Sequence, residues 1–207
     1  MNNIENIFSE SGNFGNYAGG YLRYMSKLLE SVDILAIKAF VEELEKARKG
    51  QNTVFIIGNG GSAATASHMA NDFALGSCPR EDLNPYRIMS LTDNIAELTA
   101  ISNDYGYERV FLDQLKVHYR PGDKLVAISA SGNSQNVITA AKWVKKQGGR
   151  IIGLFGFDGG KLKNICDISM HVVTPKGEYG PVEDVHMIID HLIYTWLHYK
   201  EKKENPK

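Results

Sequence analysis

One pattern governs what this chain can fold into. A short, continuous apolar run ends in a glycine- or serine-rich turn and passes straight into a helical stretch, and this happens twice. The first run is Thr53-Val54-Phe55-Ile56-Ile57, followed by Gly58-Asn59-Gly60-Gly61-Ser62 and a helical stretch over about 63–74. The second is Lys124-Leu125-Val126-Ala127-Ile128, followed by Ser129-Ala130-Ser131-Gly132-Asn133-Ser134 and a helix over about 135–146, stopped by Gly148-Gly149. Unbroken β-branched and aromatic runs suit strands covered on both faces, which is the habit of parallel sheets. The runs over 87–90, 150–155 and 168–173 read as further strands. Helical spacing marks 21–29, 34–47, one or two helices within 95–115, and a long helix over 182–198. Strands alternating with helices predict an α/β fold with a parallel sheet. Ligands in such folds sit at the carboxyl ends of the strands, where both turns lie.

Length and composition narrow the possibilities. A chain of 207 residues, 43% apolar and 23% charged, suits one soluble domain with a proper core, expected over 1–200. The tail over 201–207, rich in Lys and Glu, is expected to be disordered. A net charge of -1 argues against a broad nucleic-acid face. The start, Met1-Asn2-Asn3-Ile4-Glu5, is polar and unlike a signal peptide, and no run is long enough to cross a bilayer. Cys78 and Cys166 are far apart in sequence and read as reduced thiols, so the expected location is the cytoplasm.

The turn from Ser129 to Ser134 opens a helix, where unpaired N–H groups and the positive end of the helix dipole attract an anion. Ser129, Ser131 and Ser134 add hydroxyls, and Gly132 allows close backbone approach. This points to a phosphate site; the alternative is an ordinary turn in which Ser134 only caps the helix. The turn at Gly58 to Ser62 loosely fits a dinucleotide fingerprint, but the acidic residue expected about 20 positions on is not clearly present. Glu81 and Asp82 fall near there, in a loop with Pro79 and Pro85. No Gly-Lys-Ser/Thr follows either, so the turn is not a P-loop.

His68 and Asp72 are four apart and share a helical face. Glu183 and His191, eight apart on the last helix, lie on roughly one side. Two histidines and two carboxylates suit a divalent ion such as Zn²⁺ or acid–base chemistry. Such spacing is more often that of ordinary surface or packing pairs, and His186 with Asp190 makes another such pair with no claim to function.

Taken in order, these segments resemble the sugar isomerase (SIS) domain family, and within it the phosphoheptose isomerases. The resemblance is carried by Gly58–Ser62 with His68 and Asp72, by Ser102-Asn103-Asp104-Tyr105-Gly106-Tyr107, by 128–137, by Gly159-Gly160-Lys161, and by 182–191. It implies a three-layer α/β sandwich, a five-stranded parallel sheet with two leading helices, and a homotetramer with active sites shared between subunits. It implies that Asn59, Gly60, Gly61, Asn103 and Asp104 contact a sugar phosphate, and that Ser129, Ala130, Ser131 and Ser134 take its phosphate. It places a zinc site on His68, Asp72, Glu183 and His191, with Asp72 and His191 as the acid–base pair and Asp104 in reserve. Asp72 and Glu183 also count among the substrate contacts. The reaction implied interconverts sedoheptulose 7-phosphate and D-glycero-D-manno-heptose 7-phosphate through an enediol. Three positions depart from the family pattern: Asp72 stands for a glutamate, Glu183 for a glutamine and Ala130 for a threonine. The resemblance also admits an isomerase of another sugar phosphate, or a non-catalytic SIS protein that binds DnaA or a sugar phosphate.

Overall fold

The computed structural model describes residues 1–76 and 84–204. Cys78, Pro79, Glu81 and Asp82, and the last three residues of the expected tail, lie outside the described residues.

Five parallel strands form one sheet: β1 (Thr53–Ile57), β2 (Arg87–Ser90), β3 (Lys124–Ser129), β4 (Arg150–Phe157) and β5 (Ile168–Val173), in the order β2-β1-β3-β4-β5. Because successive side chains alternate between faces, one apolar strand feeds two cores. In β3, Val126 and Ile128 point to one core and Leu125 and Ala127 to the other. The first core is covered by α2 (Phe14–Glu30), α3 (Ile34–Lys49), α4 (Gly61–Asn71) and α8 (Tyr179–Glu204), through residues such as Leu28, Phe40, Met69 and Ile189. The second lies under α5 (Ile95–Tyr105), α6 (Val110–His118) and α7 (Gln135–Lys146), through Leu98, Phe111 and Val137. These are the three layers that the family resemblance implies.

The strand order puts β1 between β2 and β3, so chain connections leave β1 and return past it. This is a topological switch point, the place where open α/β sheets bind ligands. Ile57 pairs with Ala127, so the turns after β1 and β3 emerge side by side. Their helices, α4 and α7, lie on opposite faces of the sheet and open onto the same crevice.

Two expectations need correction. Three helices, not two, precede β1: α1 (Asn3–Ser11) begins in a capping box between Asn2 and Glu5 and ends at Gly12, whose φ is 64°. The signal was the Asn2/Glu5 spacing, which outweighs a polar start. The tail is not disordered from residue 201. Helix α8 continues to Glu204, and the buried Glu201 carboxylate pairs with Arg48 of α3. Arg48 also holds Glu45 at 2.7 Å and lies over the Tyr86 ring at 4.6 Å. This network anchors the end of α8 to α3.

Candidate active site

The turn from Ser129 to Ser134 starts where β3 ends. Gly132 N–H donates to the Ser129 carbonyl at 2.9 Å, which closes the turn, and the Gly132 φ of 60° suits glycine. A Cβ at Gly132 would also run into the Gly159 carbonyl oxygen. Glycine is therefore needed to seat the 159–161 loop against the turn. That loop braces the turn directly: Leu162 N–H donates to the Gly132 carbonyl at 2.9 Å and Lys161 N–H to Asn133 Oδ1 at 3.2 Å.

Ser134 sits in the N-cap position of α7, yet its side chain makes no capping bond. Its hydroxyl instead lies 3.1 Å from the Ser129 hydroxyl, across the mouth of the helix. The ordinary capping role is thereby set aside, and two hydroxyls line a helix start that keeps its attraction for an anion. Ala130 is buried, packs in the first core and accepts a 2.9 Å bond from Gly156 N–H through its carbonyl. Its methyl belongs to the core.

The second turn is tied to the first. Asn59 and Asn136 exchange amide bonds of 2.9 and 2.8 Å, and the Tyr107 hydroxyl donates to Asn59 Oδ1 at 2.8 Å. Gly60, with φ 54°, starts α4 without a side-chain cap. A Cβ at Gly61 would strike the Glu183 carboxylate, so α8 lays Glu183 over the start of α4. Burial, and then the neighbouring Asp184 charge, raise the Glu183 carboxyl above its usual range.

Farther along the same two helices, four side chains converge. His68 of α4 and His191 of α8 bring their Nε2 atoms to 3.0 Å. Asp72 opens a π-helical turn, Asp72–Gly76, that continues α4. Its Oδ2 lies 3.5 Å from His68 Nε2, and Asp190 Oδ2 lies 3.9 Å from the same nitrogen. All four donor atoms fall within 4.8 Å of one another. Asp190 is fully buried and its carboxylate oxygens make no hydrogen bond. Burial, and then the Asp72 charge, push its carboxyl up to about 7. Two imidazoles and two carboxylates, one of them buried without a hydrogen-bond partner, form a donor set that fits a divalent cation.

Of the sequence-predicted ligands, the structure brings His68, Asp72 and His191 together and leaves Glu183 outside the group. Asp190, read from the sequence as a partner of His186, faces the cluster instead. His186 is itself fully buried. Burial takes its ring down to about 4, against the opposing pull of the Phe155 carbonyl. Asn103 and Asp104 lie exposed at the end of α5 and bond to each other at 2.8 Å.

The crevice thus carries the serine- and glycine-rich turn after β3, and α4 and α8 carry the His/Asp cluster. The chain belongs to the SIS domain family, whose model matches residues 20–156. Among individual relatives it is similar to the phosphoheptose isomerase of Rhodospirillum rubrum, at 41% identity over 140 residues, spanning 68% of this chain and 72% of the relative. The phosphoheptose isomerase of Aliarcobacter butzleri is 40% identical over 164 residues, 76% of this chain and 85% of the relative. The solved phosphoheptose isomerase from Neisseria gonorrhoeae superimposes with a TM-score of 0.80 at 27% identity, over 90% of this chain and 100% of that one.

Proposed function

We propose that the protein is a phosphoheptose isomerase, interconverting sedoheptulose 7-phosphate and D-glycero-D-manno-heptose 7-phosphate. The observation that carries this reading is the uncapped start of α7, lined by Ser129 and Ser134 and tied through Asn136 to Asn59 of the neighbouring turn. The phosphate sits on the turn from Ser129 to Ser134, with backbone N–H groups supplying what Ala130 lacks in hydroxyl. The open-chain sugar crosses Asn59, Gly60 and Gly61, passes Glu183, and ends at His68, Asp72 and His191. Asn103 and Asp104 reach a sugar hydroxyl from the α5 end.

Isomerisation of the ketose removes a proton from C1, forms an enediol and returns a proton to C2. Asp72 takes the carbon proton and His191 returns one; that their donor atoms lie within 4.8 Å of each other supports pairing the two. The hydroxyl proton passes from O1 to O2, so the product differs from the substrate only in the position of the carbonyl. A zinc ion bound by His68, Asp72 and His191 would polarise the two sugar oxygens.

The reading includes a cytoplasmic homotetramer with shared active sites. Among the described residues no helix is long and apolar enough to cross a membrane. Exposed apolar residues on α1 and α2 (Phe8, Phe14, Leu22) and on α8 (Leu192, Trp196) support burial against further copies of the chain. The test is direct: incubation with sedoheptulose 7-phosphate, with and without Zn²⁺, followed by NMR of the sugar. The aldose should accumulate to equilibrium. Absence of product in both conditions, with the sugar phosphate still bound, would place the protein among non-catalytic SIS proteins.

A further inference from the structure

We infer that Tyr107 and Asn136 are positioning residues for the sugar: they lock the Asn59 amide so that it offers the substrate a hydrogen-bond donor and no acceptor. This rests on the sugar-phosphate reading of the site and deepens it. Asn59 belongs to the turn after β1, Tyr107 to a short 3₁₀ turn (Tyr107–Arg109) between α5 and α6, and Asn136 to the first turn of α7. Three segments far apart in sequence meet at one side chain.

The direction of each bond follows from one backbone group. Val137 N–H can only donate, and it lies 3.0 Å from the Asn136 side-chain oxygen. That bond fixes which end of the buried Asn136 amide is oxygen and which is nitrogen. Asn136 Nδ2 therefore donates to Asn59 Oδ1 at 2.8 Å, and Asn59 Nδ2 donates back to Asn136 Oδ1 at 2.9 Å. The Tyr107 hydroxyl adds a second donor to Asn59 Oδ1 at 2.8 Å. A carbonyl oxygen has two lone pairs, so both side-chain oxygens are fully used. The amide pair takes one of the two Nδ2 protons of Asn59. The other proton is left for a ligand, on a half-buried side chain beside the exposed Gly60 and Gly61.

The chemical consequence is a rule for the sugar. An oxygen that meets Asn59 must present a lone pair, and a hydroxyl there keeps its own proton for another partner. The amide is ordered before the sugar arrives, held from the core side by Asn136 and from the exposed side by Tyr107. Ordering it therefore costs nothing on binding.

The test is a double-mutant cycle on the full chain, read as kcat and KM for sedoheptulose 7-phosphate. Inorganic phosphate, as a competitive inhibitor, reports separately on the turn from Ser129 to Ser134. Tyr107→Phe keeps the ring and removes only the hydroxyl. It should raise KM about fivefold, the worth of one hydrogen bond, with kcat and phosphate inhibition within about twofold of the parent. Asn59→Ala should raise KM about tenfold or more, and adding Tyr107→Phe to it should change KM by less than about twofold, because the side chain through which Tyr107 acts is gone. Asn136→Ala should raise KM at least as much as Tyr107→Phe and lose most of that effect beside Asn59→Ala. An unchanged KM in Tyr107→Phe, an effect that persists in full beside Asn59→Ala, or an equal loss of inorganic phosphate would each overturn the assignment. If the parent binds the sugar phosphate without converting it, the proposed function fails by itself, and the same cycle is read as dissociation constants by calorimetry. A parent that binds no sugar phosphate overturns both.

Discussion

Gly132→Ala is the most informative single change in the phosphate turn, because its cost can be worked from the backbone. Gly132 has φ 60°, and an alanine there carries roughly 1–2 kcal/mol of left-handed strain. Its Cβ would also stand 2.5 Å from the Gly159 carbonyl carbon and 3.1 Å from the Gly160 nitrogen, with the Gly159 oxygen closer still. These are backbone atoms, so the loop has to move as a unit. Its movement breaks the bonds from Leu162 N–H and Lys161 N–H to the turn, worth about 1 kcal/mol each. The sum is about 3–4 kcal/mol, or a fall in Tm of roughly 10 °C for a chain of this size. Gly148→Ala is the matched control. Gly148 has φ 78° but open space around its Cβ, so it should lose only the strain, about 1–2 kcal/mol. Thermal melts of the two variants give the comparison, and calorimetry with inorganic phosphate shows whether the moved turn has lost its anion. If Gly132→Ala melts no lower than Gly148→Ala and still binds phosphate, the bracing of the turn by the 159–161 loop is refuted.

Three further predictions rest on separate parts of the structure. Ser131→Asp should abolish phosphate binding through like-charge repulsion at the α7 start; unchanged affinity in calorimetry would remove the anion assignment. Arg48→Met withdraws the cation shared by the Glu45 and Glu201 carboxylates and should cost about 3 kcal/mol in urea unfolding, part of it regained by adding Glu201→Gln; a cost below about 1 kcal/mol would contradict the anchoring of α8. Burial raises the Asp167 carboxyl, but bonds from Lys145 at 2.6 Å and Ile151 N–H at 2.9 Å outweigh it and hold the group below its usual range. Its stabilisation is therefore present above the unfolded carboxylate pKa of about 3.9 and lost as pH falls through the lower folded value, so the Tm gap to Asp167→Asn should close in acid. A gap that stays constant from neutral pH to about pH 2 would count against it.

Much of the fold was legible because it rests on periodicity. The apolar runs at 53–57 and 124–128 carry both faces of a buried strand, and the turns behind them could be placed at the strand ends without any tertiary knowledge. What escaped was local or tertiary in character. Helix α1 hid in a polar segment because its signal is a capping box between Asn2 and Glu5 rather than an apolar stripe. The end of α8 escaped because its order comes from Arg48, distant in sequence. The same limit applies to the site. Asp190 could be paired with His186 by helical spacing, but its approach to His68 and Asp72 depends on how α4 and α8 pack. Ala130 read as a gap in a row of hydroxyls, whereas its side chain lies in the core.

Isomerisation in D₂O tests the central claim most directly. With sedoheptulose 7-phosphate as substrate, a proton transfer through an enediol should place solvent deuterium on C2 of the heptose product, read by proton NMR. His191→Ala and Asp72→Asn should each show neither product nor exchange. A product carrying only protium at C2, or full turnover in His191→Ala, would contradict the account.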